Sequence, residues 1–202
     1  MLALLAQSKK PLMNKTDLIN QLRAMKAYDD FEQNDAERII KTLIDYDNVF
    51  SRDNKYMHIT SSAWVVNEGF SKILLGFHKI YRSFSWLGGH NDGEIDCLKV
   101  ALKEVKEESG LQEVRAVSEA ILAVDILPVC QHYKNEKVVG EHLHLNICYL
   151  LQGKEIEKLI VNEKENEALR WFDFTEYEAY VSEQRMIGVY RKLNNKVQER
   201  LW

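Results

Sequence analysis

The sequence predicts an α/β (α+β) fold with a mixed sheet, preceded by a short helical extension at its N-terminal end. Three observations predict it. Apolar residues before position 55 recur at spacings of three and four. From His58 onward, short runs rich in β-branched and aromatic residues are separated by turn signals. Two further helical patterns, Asp96 to Ser109 and Phe174 to Arg200, interleave with those runs. The change of texture divides the chain into a helical extension, residues 1–55, and an α/β domain, residues 56–202.

In order, Thr16 is placed to cap a first helix carrying Leu18, Ile19, Leu22 and Met25. Asn34 or Asp35 starts a second, with Ile39, Ile40, Leu43 and Ile44 on its apolar face. The polar stretch from Asp47 to Lys55 is a connection. His58 to Asn67 reads as a strand, Asn67-Glu-Gly69 as a turn and Lys72 to Ile80 as a second strand. Tyr81 to Trp86 continues extended into Leu87-Gly88-Gly89. Ala116 to Val129 is a strand region. Val139 to Leu151 is a strong strand, in which Leu143, Leu145 and Ile147 alternate with His142, His144 and Asn146. Ala168 to Asp173 is a short strand. The last helical stretch turns Tyr177, Tyr180, Val181, Ile187, Tyr190 and Leu193 inward.

Composition narrows the function. The chain has 202 residues, 46% of them hydrophobic, which is enough for a sizeable core. Its formal net charge is −4, so it lacks the basic excess that holds a nucleic-acid backbone. A small polyanionic substrate can still bind where a cation or a local basic cluster offsets the repulsion. The three cysteines, Cys97, Cys130 and Cys148, form no disulfide framework and suit a reducing cytoplasm. The apolar start from Met1 to Ala6 is too short for a signal segment, and no apolar run approaches a membrane span. The helical extension is free to pack on its own domain or on a second copy, as in a homodimer.

The helix from Asp96 to Ser109 carries the strongest chemical signal. Asp96 is a plausible N-cap and Gly110 sits where a left-handed C-cap belongs. Leu98, Ala101, Leu102 and Val105 form an apolar stripe. Glu104, Glu107 and Glu108 share another face near the C-terminal end. Carboxylates about 5 Å apart repel by roughly 3 kcal/mol per pair at an effective dielectric near 20. The negative end of the helix dipole adds to the strain. A hard divalent cation such as Mg²⁺, or Mn²⁺ as the alternative, relieves both and is suited to bridging phosphate oxygens. Glu and Lys interspersed on a helix also make an ordinary solvated face, with Lys103 pairing to Glu107 and Lys99 to Glu94 or Glu104.

The context of these residues resembles the Nudix hydrolase signature, G-x5-E-x7-R-E-U-x-E-E-x-G-U with U aliphatic. Gly89 takes the first glycine, Lys103 the arginine, Glu104 the next glutamate and Val105 the aliphatic position. Glu107 and Glu108 are the acidic pair, and Gly110-Leu111 the ending. Two positions depart. Ile95 stands where the signature has its first glutamate, flanked by Glu94 and Asp96, and Lys103 replaces the arginine, without its bidentate fork. The Gly-Gly-His-x-Asp-Gly-acidic form is similar to a bacterial subgroup of the family. Trp86-Leu-Gly-Gly89 and Glu165-Asn-Glu-Ala-Leu-Arg-Trp171 extend the likeness over residues of about 57 to 175.

The resemblance implies the Nudix α/β/α sandwich and Mg²⁺-dependent hydrolysis of a diphosphate linkage in a nucleoside diphosphate-linked substrate. It implies metal ligands at Glu104, Glu107 and Glu108, with Lys103 orienting a glutamate or touching phosphate. His90, His142, His144 and Trp86 are candidate substrate-binding residues. His142 and His144 share a strand face, from which they can bond phosphate or ligate a transition metal. Glu141, Glu163, Glu165 and Glu167 are candidates for an added acidic group, Tyr133 and Trp171 for stacking, and His132 for approach to the site. Two other readings share the fold. One is an isomerase of isopentenyl diphosphate type, which implies a catalytic Cys and Glu. The other is a non-catalytic module that senses a nucleotide or sugar.

Overall fold

The computed structural model of the chain describes residues 12–134 and 136–200. The apolar start, Met1 to Ala6, lies outside them.

The first helix, α1 (Lys15–Ala24), is capped by Asn14 rather than Thr16. The Asn14 side chain accepts from the N–H groups of Thr16 and Asp17, and the Asp17 carboxylate accepts the Asn14 N–H. This reciprocal capping box satisfies more donors than a lone threonine hydroxyl. The second helix, α2 (Asp30–Asp45), starts before Asn34, because Asp29 accepts the Glu32 N–H at 2.8 Å. Ile39 and Leu43 are fully buried, while Ile44 faces water.

Strands β1 (Met57–Val66), β2 (Lys72–His78), β3 (Ser83–Ser85) and β4 (Leu87–His90) precede helix α3 (Cys97–Ser109). After it come β5 (Arg115–Ala116), β6 (Ala123–Val129), β7 (His132–Lys134), β8 (Lys137–Val139), β9 (His142–Gln152) and β10 (Asn166–Asp173). A 3-10 turn (Tyr177–Tyr180) and helix α4 (Gln184–Gln198) follow. The sheet order is β10-β2-β1-β9-β5, with β3 on β2, β4 on β1 and β6 on β9. The sheet is mixed: β1 and β9 run parallel from Met57–Leu143 to Val66–Gln152, and its other pairings are antiparallel. β7 and β8 form a separate hairpin.

Three expected runs differ from what forms. The stretch from Tyr81 does not continue β2: Arg82 takes a positive φ of 50°, and β3 folds back on β2. Ala116 to Val129 divides into β5 and β6, each paired with β9. Lys137 to Val139 belongs to the hairpin, and β9 begins only after Gly140.

Side chains alternate across the sheet and build two cores. Ile59, Ala63 and Val65 of β1, with Leu145, Ile147 and Tyr149 of β9, face α1, α2 and α3. Trp64, Val66, Cys148 and Leu150 face the opposite way, against Tyr177, Val181, Tyr190 and Leu193. The result is the expected α/β/α sandwich. Tyr180 is exposed and Ile187 only half-buried, unlike the other positions expected inward. The apolar faces of α1 and α2 are covered by their own chain.

A charged cluster also joins the N- and C-terminal helices. Glu32 accepts from Lys196 at 2.7 Å and Lys192 at 3.0 Å, and from the backbone N–H groups of Val124 and Tyr28. Lys192 also pairs with Asp125 at 2.8 Å. Among the described residues no helix is long and apolar enough to cross a membrane.

Candidate active site

Helix α3 is bounded as expected. Asp96 accepts the Lys99 N–H at 3.0 Å, and Gly110 ends the helix at φ 73°, where a side chain is strained. Its buried face is turned from the expected stripe. Cys97, Val100, Ala101 and Val105 lie inside, with Leu98 and Leu102 half-buried. This rotation also brings Glu108 inside, 4% exposed.

The neighbouring strand makes room for the glutamates. A Cβ on Gly89 would stand 2.7 Å from the Glu104 carboxyl carbon, so only glycine lets that side chain lie across β4. The Gly88 N–H donates to Glu108 Oε1 at 2.9 Å, and the Asn166 side-chain amide donates to Oε2 at 2.7 Å. Both Glu108 oxygens are thus held by neutral donors. Glu165, next to Asn166 at the start of β10, completes a group with Glu104 and Glu108: one carboxylate oxygen of each lies within 4.8 Å of the others. Burial pushes the Glu108 carboxyl up to about 8 and raises Glu104, and the charge of Glu165 raises both further. A dense set of oxygen ligands whose charge is so disfavoured fits a hard divalent cation.

Glu107 lies outside this group. It is exposed and shares the Lys103 ammonium with Glu104, at 2.9 Å and 3.0 Å respectively. Glu94, beside the departing Ile95, bonds the N–H groups of Ile95 and Asp96 and pairs with Lys99, so it serves the loop. Asp96 is committed to its cap.

A cavity of about 610 Å³ opens over the acidic group. Trp86, His90 and His144 line it, with Arg52, Lys79, Lys164 and Arg185 as its cations. Trp86 also meets the buried Tyr190 edge-on. His142 touches His144, Nε2 to Nε2, at 3.2 Å, and burial pushes His144 down to about 2, keeping its imidazole neutral. Of the other acidic candidates, Glu167 pairs with Arg82, and Glu141 and Glu163 are exposed. Trp171 is half-buried against the first core, and Tyr133 is exposed on the hairpin. Cys97 and Cys148 are buried, whereas Cys130 is exposed.

Asn166 and His58 were not singled out by the sequence. Asn166 carried only its neighbourhood to Glu165 as a signal. His58 stood in an apolar run, with nothing local to link it to the His142/His144 face.

No protein-family model matches the chain, and no curated protein does. Solved structures do. A Nudix hydrolase from M. smegmatis, RenU, is 12% identical with a TM-score of 0.53, covering 70% of this chain and 86% of that one. A C. elegans Ap4A hydrolase, solved as a binary complex, is 13% identical with a TM-score of 0.52, covering 70% of this chain and 98% of that one. At such identities the likeness is one of fold. This chain has the Nudix fold, with an acidic helix lying against its central strands.

Proposed function

We propose that this protein is a Nudix-type pyrophosphohydrolase. It hydrolyses a diphosphate linkage in a nucleoside diphosphate-linked substrate and depends on Mg²⁺ or Mn²⁺. The observation that carries this is the acidic group Glu104, Glu108 and Glu165, buried in part and open to a cavity that Lys164 also lines. Those three carboxylates would hold the cation. Glu107, one ammonium away from Glu104, would join them on release from Lys103. When bound, such a cation supplies Lewis acidity at phosphorus and lowers the pKa of a bound water.

The chain's own groups do the rest. Lys164 offsets the substrate's charge, whereas Arg185 is already paired with Glu183 at 2.6 Å. Trp86 offers a flat apolar wall for a base. Glu165 is the exposed member of the acidic group and accepts the proton of the attacking water. Glu108, clamped by Gly88 and Asn166, keeps the site in register. The isomerase reading fares worse, because it needs a cysteine at the substrate. Burial pushes Cys97 up to about 11 and Cys148 up to about 12, and neither lines the cavity.

The test is cleavage by the purified chain over nucleotide sugars, dinucleoside polyphosphates, ADP-ribose and nucleoside triphosphates. It is run with Mg²⁺, with EDTA, and with Glu104→Gln, Glu107→Gln, Glu108→Gln and Glu165→Gln. Turnover that needs the metal and falls at least about 100-fold in the variants is the expected result. Ligand-induced thermal stabilisation without turnover on any compound would move the assignment to a sensing module.

A further inference from the structure

We propose that His58, His90 and His144 form a second metal site, for a divalent ion of the Zn²⁺ class, separate from the acidic group. Sheet register assembles it. His58 on β1 is the direct parallel partner of His144 on β9. His90 on β4 pairs with Thr60, two residues beyond His58 and therefore on the same face. Three adjacent strands thus place three imidazoles together. One ring nitrogen of each lies within 4.8 Å of the others, and the ring centroids are 5.0 Å apart in each pairing.

The hydrogen bonds of His58 point to a ligand. Its Nδ1 lies 3.1 Å from the Asn54 carbonyl, which only accepts, so Nδ1 carries the proton. Nε2 is left as a bare lone pair. The residue is 4% exposed, and that nitrogen is buried with no partner. An unmade hydrogen bond in such a place leaves the full desolvation penalty of the group uncompensated. A metal ion at the centre of the three rings removes this cost. The backbone bond on Nδ1 is the arrangement that fixes tautomer and ring orientation in metal-ligating histidines.

His142 repeats the pattern and supports the site from outside. Its Nδ1 donates to the Gly140 carbonyl at 2.9 Å, and its Nε2 meets His144. Arg52 and Lys55 are the cations on the wall of the neighbouring cavity; the Arg52 guanidinium is bound at 2.6 Å by Asp92, and the Lys55 ammonium donates to the Arg52 carbonyl at 2.9 Å. Neutral imidazoles suit Zn²⁺, Ni²⁺ and Cu²⁺, and the carboxylates of α3 suit Mg²⁺, so the two sites select different ions. Three protein ligands leave a tetrahedral ion one open position. A cavity of about 530 Å³ borders the three rings, and His90 and His144 also line the cavity over the acidic group. The second ion would therefore stand beside the proposed substrate.

The test uses the untagged full-length chain, stripped with EDTA and then titrated with Zn²⁺ and with Co²⁺. Bound metal is counted by mass spectrometry, and the Co²⁺ form is read by visible absorption. One equivalent per chain, with the intense bands of four-coordinate Co²⁺, is expected. His58→Gln, His90→Gln and His144→Gln should each weaken uptake at least about 10-fold, and His142→Ala by less. Glu104→Gln combined with Glu108→Gln should leave it unchanged. Failure to take up a stoichiometric ion overturns the site. So does uptake that survives the histidine changes or is lost in the glutamate double variant. If a histidine variant does not fold, the wild-type spectrum decides: weak six-coordinate bands refute the site.

Discussion

Two groups of buried charge stand on opposite sides of this molecule and are built on opposite rules. Around Glu32 every carboxylate oxygen has a cation: Lys192 on one, Lys196 on the other, with backbone N–H groups completing the set. Around Glu108 both oxygens are bonded, but only by a backbone N–H and an amide. The first cluster neutralises itself and ties α2 to α4. The second has its geometry satisfied and its charge left open. Desolvated charge without a counter-ion is a standing cost, and a protein retains it where something else supplies the opposite sign.

Removing one partner from each cluster should separate these roles, and the largest effect is expected at Glu32. Glu32→Ala strands Lys196 in the core and leaves Lys192 to Asp125 alone, which should destabilise the chain by about 3–5 kcal/mol in urea unfolding. Glu108→Gln keeps an acceptor oxygen for the Gly88 N–H, and Asn166 must turn its amide to present its oxygen to the new side-chain NH2. It should not destabilise the metal-free chain at neutral pH, because it removes a carboxyl whose charge burial disfavours, while turnover falls by orders of magnitude. If Glu108→Gln unfolds the protein as readily as Glu32→Ala, both clusters are structural and the contrast fails.

The next effect is a pH dependence carried by Glu108. Burial raises its carboxyl from 4.5 to about 8 in the folded chain. The folded state therefore binds this proton more tightly than the unfolded state. The resulting stability is fully present below about pH 4.5 and is lost as pH rises through about 8. At 1.36 kcal/mol per pH unit the loss is at most on the order of 4–5 kcal/mol. Asp125 contributes in the same direction but ends earlier, since burial raises it from 3.8 only to about 6. The melting temperature of the metal-free chain should thus fall between pH 6 and pH 8. Mg²⁺ should restore it at pH 8 and do little at pH 5.5. Glu108→Gln should flatten both trends, and a metal-free melting curve that rises over this window would contradict the assignment.

The same contrast explains what could be read from the sequence. The acidic helix was legible because it is local: cap, carboxylate spacing and terminal glycine lie within one short segment, whereas its buried face is rotated from the expected stripe. Strand alternation placed His142 and His144 on one face for the same reason. What escaped depends on distant pairing. Asn166 reaches Glu108 only because β10 adds to β2, and His58 meets His144 only through the parallel β1–β9 register. The ionic cluster links Glu32 to Lys196 across most of the chain, with no sequence pattern to announce it. The helix starts were missed for a smaller reason: Asn14 and Asp29 outcompeted the chosen caps by satisfying free N–H groups earlier.

The smallest expected effect lies at Lys103, on the rim between the two kinds of site. Its ammonium, on a side chain 58% exposed, bridges Glu104 and Glu107 where a cation would otherwise sit. Exposed pairs of this kind contribute about 0.2–1 kcal/mol and weaken with salt. Lys103→Met should therefore change unfolding free energy by less than about 1 kcal/mol. Its clearer consequence is competitive. With the ammonium gone, Glu104 and Glu107 are freed for a divalent ion, so Mg²⁺ should bind about threefold more tightly, the size of one surface ion pair. That gain should shrink in 0.5 M salt, where the Debye length is down to about 4 Å. If Mg²⁺ binds no better while turnover drops, Lys103 acts by holding a glutamate in place, and the open charge belongs to Glu108 and its neighbours alone.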